Sequence, residues 1–329
     1  MDISALILCE GNGFGHISRM TGLIKRLNEP VITFHNAVSF SREHNLDVID
    51  LGTPYIIHET DSNVKIKLNL EEMIKMLRPS VLKQLIKLGR KKDVIIADST
   101  LIGPIVGKLL NKPIFYIMSD LNSSTFLPFN LASLGFNSVF RWFKDLHIFI
   151  PDFPPPYTIS YKNLDKLNGR ANYIGPMIFK QRQVKHDWDI YISMGAKEDN
   201  KRKIIDLLKN RTFVHNSMVD SFQRYIKYSD IVITHGGHTT LMESLYYGKP
   251  VLVAYNSNYK ERVNNGIGIE KNRVGIAMDV NKLNHLNIDM ILDDVYQMRG
   301  RARWFSKWAK TFNPVNEILN NISRVLGNV

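Results

Sequence analysis

The sequence has little that would cross-link it or anchor it. It holds one cysteine, Cys9, in 329 residues, so an intrachain disulfide framework is excluded and a reducing, cytoplasmic setting is expected. Cys9 ends an apolar stretch at residues 3–9, which gives its thiol a packing role rather than a reactive one. No apolar run approaches the roughly 20 residues that span a bilayer. Asp2 and Glu10 interrupt any secretory leader pattern. Acidic side chains are scarce beside basic ones, 31 against 43, for a formal net charge of +12. That balance favours anionic partners: nucleotide phosphates, an anionic membrane surface or nucleic acid. No nucleic-acid recognition motif accompanies the charge, so nucleic acid is the weakest of the three.

What is present is globular in composition, 44% hydrophobic and 22% charged, and long enough for two domains. The most informative stretch is residues 229–250, SDIVITHGGHTTLMESLYYGKP. Ile231, Val232 and Ile233 form a short β-branched run that reads as a buried strand. His235-Gly236-Gly237-His238 makes a tight turn. Leu241, Leu245 and Tyr246 follow at helical spacing with Glu243 among them, and Gly248 and Pro250 close the helix. A strand, a glycine turn and a helix start together suit an anion. The first-turn amides have no partner inside the helix, the dipole is positive there, and Thr239 and Thr240 add hydroxyl donors. A Gly-Gly turn alone is also what an ordinary βα connection uses for its φ angles. The two histidines, the paired threonines and Glu243 favour a ligand.

This stretch resembles the donor-nucleotide motif of the GT-B glycosyltransferases, the group that contains plant UDP-glucosyltransferases and MurG-like enzymes. In that group a His-x-Gly-x-x-Ser/Thr turn holds the diphosphate, and a Glu eight residues after the His holds the ribose hydroxyls. The resemblance assigns His235, Gly236, Gly237, His238, Thr239 and Thr240 to the diphosphate and Glu243 to the ribose. It implies an α/β fold of two Rossmann-like domains facing each other across a cleft. Residues 1–170 would bind the acceptor and residues 171–329 the nucleotide-sugar donor, in a group that often returns its last helix to the first domain.

The amino-terminal half repeats the pattern. An apolar strand at 3–9 leads into Glu10-Gly11-Asn12-Gly13-Phe14-Gly15-His16, and Met20, Leu23, Ile24 and Leu27 then share a helix face. Dinucleotide folds open with such a loop too, but no acidic residue closes the next strand at 31–34, which weakens a nicotinamide reading. The pattern Gly13-x-Gly15-His16-x-x-Arg19 resembles the start of the same glycosyltransferases, where the His faces the cleft and in many members is the general base. Residues 94–97 read as a buried strand with Asp98 at its carboxyl end, the edge where ligands gather. By resemblance to the plant-type members, Asp98 orients His16 and stabilises its imidazolium. MurG-like members lack this Asp. On the residues alone, Asp98 is also readable as an N-cap for a helix over 101–110, with His16 on the surface.

The remaining segments are less specific. Residues 65–92 carry nine Lys/Arg against two Glu along an apolar stripe that Pro79 should bend or divide. The charges fit either anionic lipid or a solvated helix face. Aromatic residues at 126–143 fit core packing or the lining of an acceptor cleft. Pro151 and Pro154-Pro155-Pro156 predict an irregular connection, and Tyr173-Ile174-Gly175-Pro176 resembles the family's point of entry into the second domain. A strand at 190–194 turns at Gly195, so Ser193, Met194 and Gly195 are further diphosphate candidates. The strand and loop at 213–218 occupy the place where relatives read the base through backbone groups. Residues 259–265 resemble the run that contacts the donor sugar. They lack its Gln, which leaves Glu261 and Asn264 as candidates. Trp304 and Trp308, set among Arg and Lys, fit interdomain packing or a membrane surface.

The resemblance implies an inverting, metal-independent hexosyl- or N-acetylhexosaminyltransferase with His16 and Asp98 as catalytic pair. The donor is a nucleoside-diphosphate sugar, UDP-linked by preference. The acceptor is a glycan, glycolipid or small molecule, with a polyprenyl-linked glycan as the version that uses the basic surfaces. No resident cofactor is expected, the UDP-sugar being a co-substrate, and no metal-binding Asp-x-Asp is expected to serve an ion. A peripheral position on the inner face of the plasma membrane would follow from a lipid acceptor. A UDP-sugar 2-epimerase on the same scaffold and a non-catalytic nucleotide-sugar-binding subunit are the alternatives. The His16 loop argues against the first, and the presence of both half-motifs in one chain argues against the second.

Overall fold

The computed structural model describes residues 3–11, 13–52, 58–59, 64–65, 79–100, 102–119, 143, 145–160, 171–179, 188–194, 198–208, 211–215 and 223–327. Gly195, residues 216–218, residues 66–78 of the 65–92 run and residues 126–142 of the 126–143 run lie outside them.

The chain opens with β1 (Ala5–Cys9), α1 (Phe14–Leu27), β2 (Val31–Thr33), α2 (Asn36–Glu43) and β3 (Val48–Asp50). A two-residue pair, β4 (His58–Glu59) and β5 (Val64–Lys65), precedes α3 (Pro79–Gly89), β6 (Val94–Asp98), α4 (Ile102–Leu110), β7 (Ile114–Ile117), β8 (Leu146–Ile150) and β9 (Ala171–Tyr173). There follow β10 (Trp188–Ser193), α5 (Glu198–Leu207), β11 (Phe213–His215), α6 (Gln223–Ile226), β12 (Ser229–Thr234), α7 (His238–Tyr246), β13 (Val251–Tyr255) and α8 (Lys260–Lys271). The described chain closes with β14 (Gly275–Asp279), α9 (Ile288–Gln297), α10 (Arg299–Ala309) and α11 (Pro314–Val325).

Two parallel sheets result, ordered β3-β2-β1-β6-β7-β8-β9 and β11-β10-β12-β13-β14. Their central strands are apolar up to the carboxyl edge, as in ALILC of β1 and VIIA of β6 before Asp98, because helices cover both faces of a parallel sheet and leave no polar side. Register aligns the carboxyl ends that matter: Cys9 pairs with Asp98, and Ser193 with Thr234. Cys9 is buried in the first core, and burial, then the Asp98 charge, pushes its thiol well above the ordinary range. It is therefore an inert packing residue.

The cores do not divide at residue 170. β9, which that boundary gives to the second half, pairs with β8 at the edge of the first sheet. Phe153 and Ile159, from the connection after β8, pack instead with Leu241, Leu245 and Val253 of the second unit. Ile318 and Ile322 of α11 pack with Ile7, Met20 and Ile96 in the first. Each such buried isoleucine is worth about 1.5–3 kcal/mol, so the chain crosses between units wherever an apolar pair finds its matching face. Trp308 packs at a tilt against Phe153 at a ring separation of 5.0 Å and Trp304 against Tyr157 at 5.7 Å, so α10 covers the connection. α3 begins at Pro79, which holds a first-turn position where its missing N–H costs nothing. Among the described residues no helix is long and apolar enough to cross a membrane.

Candidate active site

α1 starts at the carboxyl edge of the first sheet from Gly13, an extended residue with no side-chain cap bond. Its first turn presents His16, and Arg19 lies three residues on, over the same face. The His16 ring is 30% exposed, and its Nδ1 stands 2.8 Å from Asp98 Oδ1. Arg19, 4% exposed, donates from Nε to Asp98 Oδ2 at 2.6 Å and from Nη2 to Oδ1. It also reaches the Ser99 hydroxyl at 3.2 Å. Arg19 Nη2 lies 3.0 Å from His16 Nδ1 as well. A guanidinium can only donate, so the carboxylate is the sole acceptor for an Nδ1–H. That tautomer leaves the Nε2 lone pair free, as a general base requires.

The electrostatics follow from burial. Asp98 is fully buried, which alone would raise its pKa. The Arg19 charge and then His16 outweigh that and lower it to about 2. Arg19 is raised in turn: burial opposes its charge, but Asp98 overcomes this, and the field of Glu261 on α8 adds to it. Both carboxylate oxygens of Asp98 are engaged by Arg19 and His16, so the residue belongs to this cluster.

The second glycine turn lies at the carboxyl edge of the other sheet. His235 is half-buried, and its Nδ1 sits 3.1 Å from the Ser193 carbonyl, which fixes the proton there. Gly236 has φ +95°, and a Cβ would meet Val253 Cγ1 at 3.0 Å and the Arg262 carbonyl at 3.2 Å, so glycine is required. Gly237 precedes α7 with no side-chain cap bond, and no acid occupies the first turn. The α7 amides are therefore open to an anion. His238 differs from expectation: its ring is buried against Asp152, with Nε2 3.2 Å from Oδ2. The residue offers the turn its backbone N–H, because Asp152 occupies its side chain. The Thr239 hydroxyl donates to the Gly15 carbonyl at 3.2 Å. A Cβ on Gly15 would lie 2.9 Å from that hydroxyl, so the approach of the two turns depends on glycine. Thr240 is half-buried. Glu243 is 4% exposed, and after burial itself it is the main influence raising the Tyr191 phenol on β10.

Of the other candidates, Ser193, Met194 and Asn264 are buried and Glu261 is half-buried. One Asp-x-Asp does occur in the sequence, Asp187-Trp188-Asp189. Asp189 is exposed near the start of β10, at the opposite end of that strand from the Ser193 turn. Sequence reasoning placed Arg19 only in the glycine loop and missed its pairing with Asp98. The three-residue spacing from His16 was the available signal. It missed Asp152, which no motif marks, and touched Asn265 only as the end of the 259–265 run.

Residues 166–316 match the family model described as glycosyltransferase family 28 C-terminal domain. A Methanosarcina mazei protein named as an uncharacterized glycosyltransferase is 29% identical, the match covering 82% of this chain and 84% of that one. A second such protein, from Methanosarcina acetivorans, is 27% identical over 82% and 84% of the two chains. Among solved structures, the spinosyn forosaminyltransferase SpnP aligns with a TM-score of 0.73 and 12% identity, over 99% of this chain and 100% of that one.

Proposed function

We propose that this chain is a glycosyltransferase of the GT-B fold, an inverting, metal-independent enzyme that moves a sugar from a UDP-linked donor to an acceptor hydroxyl. The observation that carries the proposal is the contact of the two turns. The Thr239 hydroxyl on the Gly15 carbonyl sets the open amides of α7 beside the loop that bears His16. A diphosphate at the start of α7 and a base at the start of α1 then flank one space.

The chemistry follows from those positions. His16 Nε2 removes the acceptor hydroxyl proton as the oxygen attacks the anomeric carbon from the side opposite the diphosphate. The new glycosidic C–O bond forms while the sugar–phosphate C–O bond breaks, and the configuration inverts. Negative charge collects on the leaving diphosphate, where the α7 dipole, the turn amides and Thr240 stabilise it. Asp98 stabilises the imidazolium, and Arg19 holds Asp98 ionised and in place. Glu243 is assigned to the ribose. Glu261, whose field reaches Arg19 across the cleft, is assigned to the donor sugar. The basic surface, in a chain of net charge +12, supports an acceptor glycan on an anionic membrane.

Calorimetry with UDP, GDP and TDP, on wild type and Glu243→Ala, tests the donor site. UDP should bind best, and the variant should lose about tenfold or more in affinity, the scale of one charge-assisted hydrogen bond. If folded wild-type protein binds none of the three, the donor assignment is wrong.

A further inference from the structure

Asp152 takes no part in that chemistry, yet it centres a closed ring of buried polar contacts. It lies at the start of the connection after β8 and is fully buried. Its carboxylate accepts from the backbone N–H groups of Phe153 at 2.7 Å, Ile159 at 3.1 Å and Ser160 at 2.9 Å. Its Oδ2 faces His238 Nε2 at 3.2 Å, within ion-pair reach though not aligned as a hydrogen bond. From the far side of the same loop, the Ser160 hydroxyl donates to Asn265 Oδ1 at 3.1 Å. Asn265 Nδ2 in turn donates to the Gly236 carbonyl at 2.9 Å. The ring thus starts and ends on the diphosphate turn, at Gly236 and at His238.

The loop that carries this ring is fixed against one face of α8. Asn265, Gly268 and Asn272 stand at helical spacing. Asn272 Nδ2 donates to the Tyr157 carbonyl at 3.0 Å. A Cβ on Gly268 would overlap the Ile159 carbonyl oxygen, 2.0 Å away, so loop and helix touch backbone to backbone. The diphosphate turn needs such an outside support. Two adjacent glycines lose much backbone freedom when held still, and α7 has no side-chain cap of its own. Amides aimed at a ligand help binding only when they are already ordered before it arrives.

We infer that Asp152 is a positioning residue for the donor diphosphate: through His238 on one side and Ser160–Asn265 on the other, it holds the Gly236–His238 turn in its binding shape. The inference rests on the donor site proposed above. Asn at position 152 would set its amide N–H either against the Ser160 N–H and His238 Nε2, in place of Oδ2, or against the Phe153 and Ile159 N–H groups, in place of Oδ1, so the loop loses acceptors in either orientation.

Titration of UDP and, separately, uridine into wild type, Asp152→Asn and Ser160→Ala tests it. UDP affinity should fall about tenfold in Asp152→Asn, the scale seen when outer contacts of binding groups are removed, and about threefold in Ser160→Ala. Uridine affinity should stay at the wild-type value in both, because it makes no demand on the turn. Equal losses of UDP and uridine would mean general loosening of the domain and would overturn the inference. Unchanged UDP binding in both variants would overturn it as well, with the donor site left standing. Failure of wild type to bind UDP would remove the donor site, and this inference with it. Should Asp152→Asn not fold, Ser160→Ala decides alone by the same comparison, since it removes a single hydroxyl.

Discussion

Replacing Asp98 by Asn keeps the shape of the side chain and takes one negative charge from beneath His16. Burial pushes this carboxyl up, but Arg19 and His16 bring it down from an ordinary 3.8 to about 2. That gap of nearly two pH units corresponds to about 2 kcal/mol of stability at neutral pH. The group is fully buried, so solvent does not screen the effect. Arg19 sets the other bound: it would keep its charge in a buried site with no counter-charge, and breaking a buried pair in that way costs about 3–5 kcal/mol. Asp98→Asn should therefore lower the melting temperature at pH 7 by on the order of 10 °C. The pH dependence has a definite sign. Because the folded pKa is depressed, the contribution is complete above the unfolded value near 4. It is lost as the pH falls towards 2. Thermal unfolding followed by circular dichroism at steps from pH 7 to pH 2.5 should show wild type and variant converging in the acid range. Adding Arg19→Met to Asp98→Asn should recover part of the loss, since it removes the stranded cation. Equal melting temperatures at pH 7, or a gap that persists undiminished at low pH, would refute the account of the cluster.

Two other outcomes are expected. His16→Ala should cut the transfer rate by roughly 10²–10⁴, the usual contribution of a general base. UDP affinity should stay unchanged, and a parallel loss of UDP binding would place His16 in the donor site instead. Wild type should co-sediment with phosphatidylglycerol vesicles at low salt and be released at high salt. Arg301 stacked 4.3 Å over the 42% exposed Trp304 gives α10 a cationic aromatic face suited to that surface. Soluble protein at every salt concentration would rule out an acceptor held on an anionic membrane.

The turns are legible in the sequence because their chemistry is local. A β-branched run, two glycines and a helical apolar stripe name strand, turn and helix within twenty residues, and Gly236 at φ +95° is a position only glycine fits well. The sheets are legible for the same reason, since fully apolar strands point to a parallel sheet. What is not legible depends on distant partners. His238 reads as a ligand until Asp152, far away in the chain, takes its ring. Arg19 reads as one more loop cation until Asp98 closes on it. The crossings between units are hidden too. Phe153, Ile174 and Ile318 are simply apolar in the sequence, and apolar periodicity says that a residue is buried without saying in which core.

The return of α11 has a consequence for how the protein is made. Ile318 and Ile322 complete the core that Ile7, Met20 and Ile96 begin, so the amino-terminal half cannot finish folding when its own strands have left the ribosome. At typical synthesis speeds it waits for roughly ten to thirty seconds while the second half is translated. During that interval the groove that α11 will fill is an open apolar surface and a natural target for a holdase chaperone. The order of maturation is therefore reversed relative to the order of synthesis: the second unit can close its own core first, and the segment that follows it then seals the first.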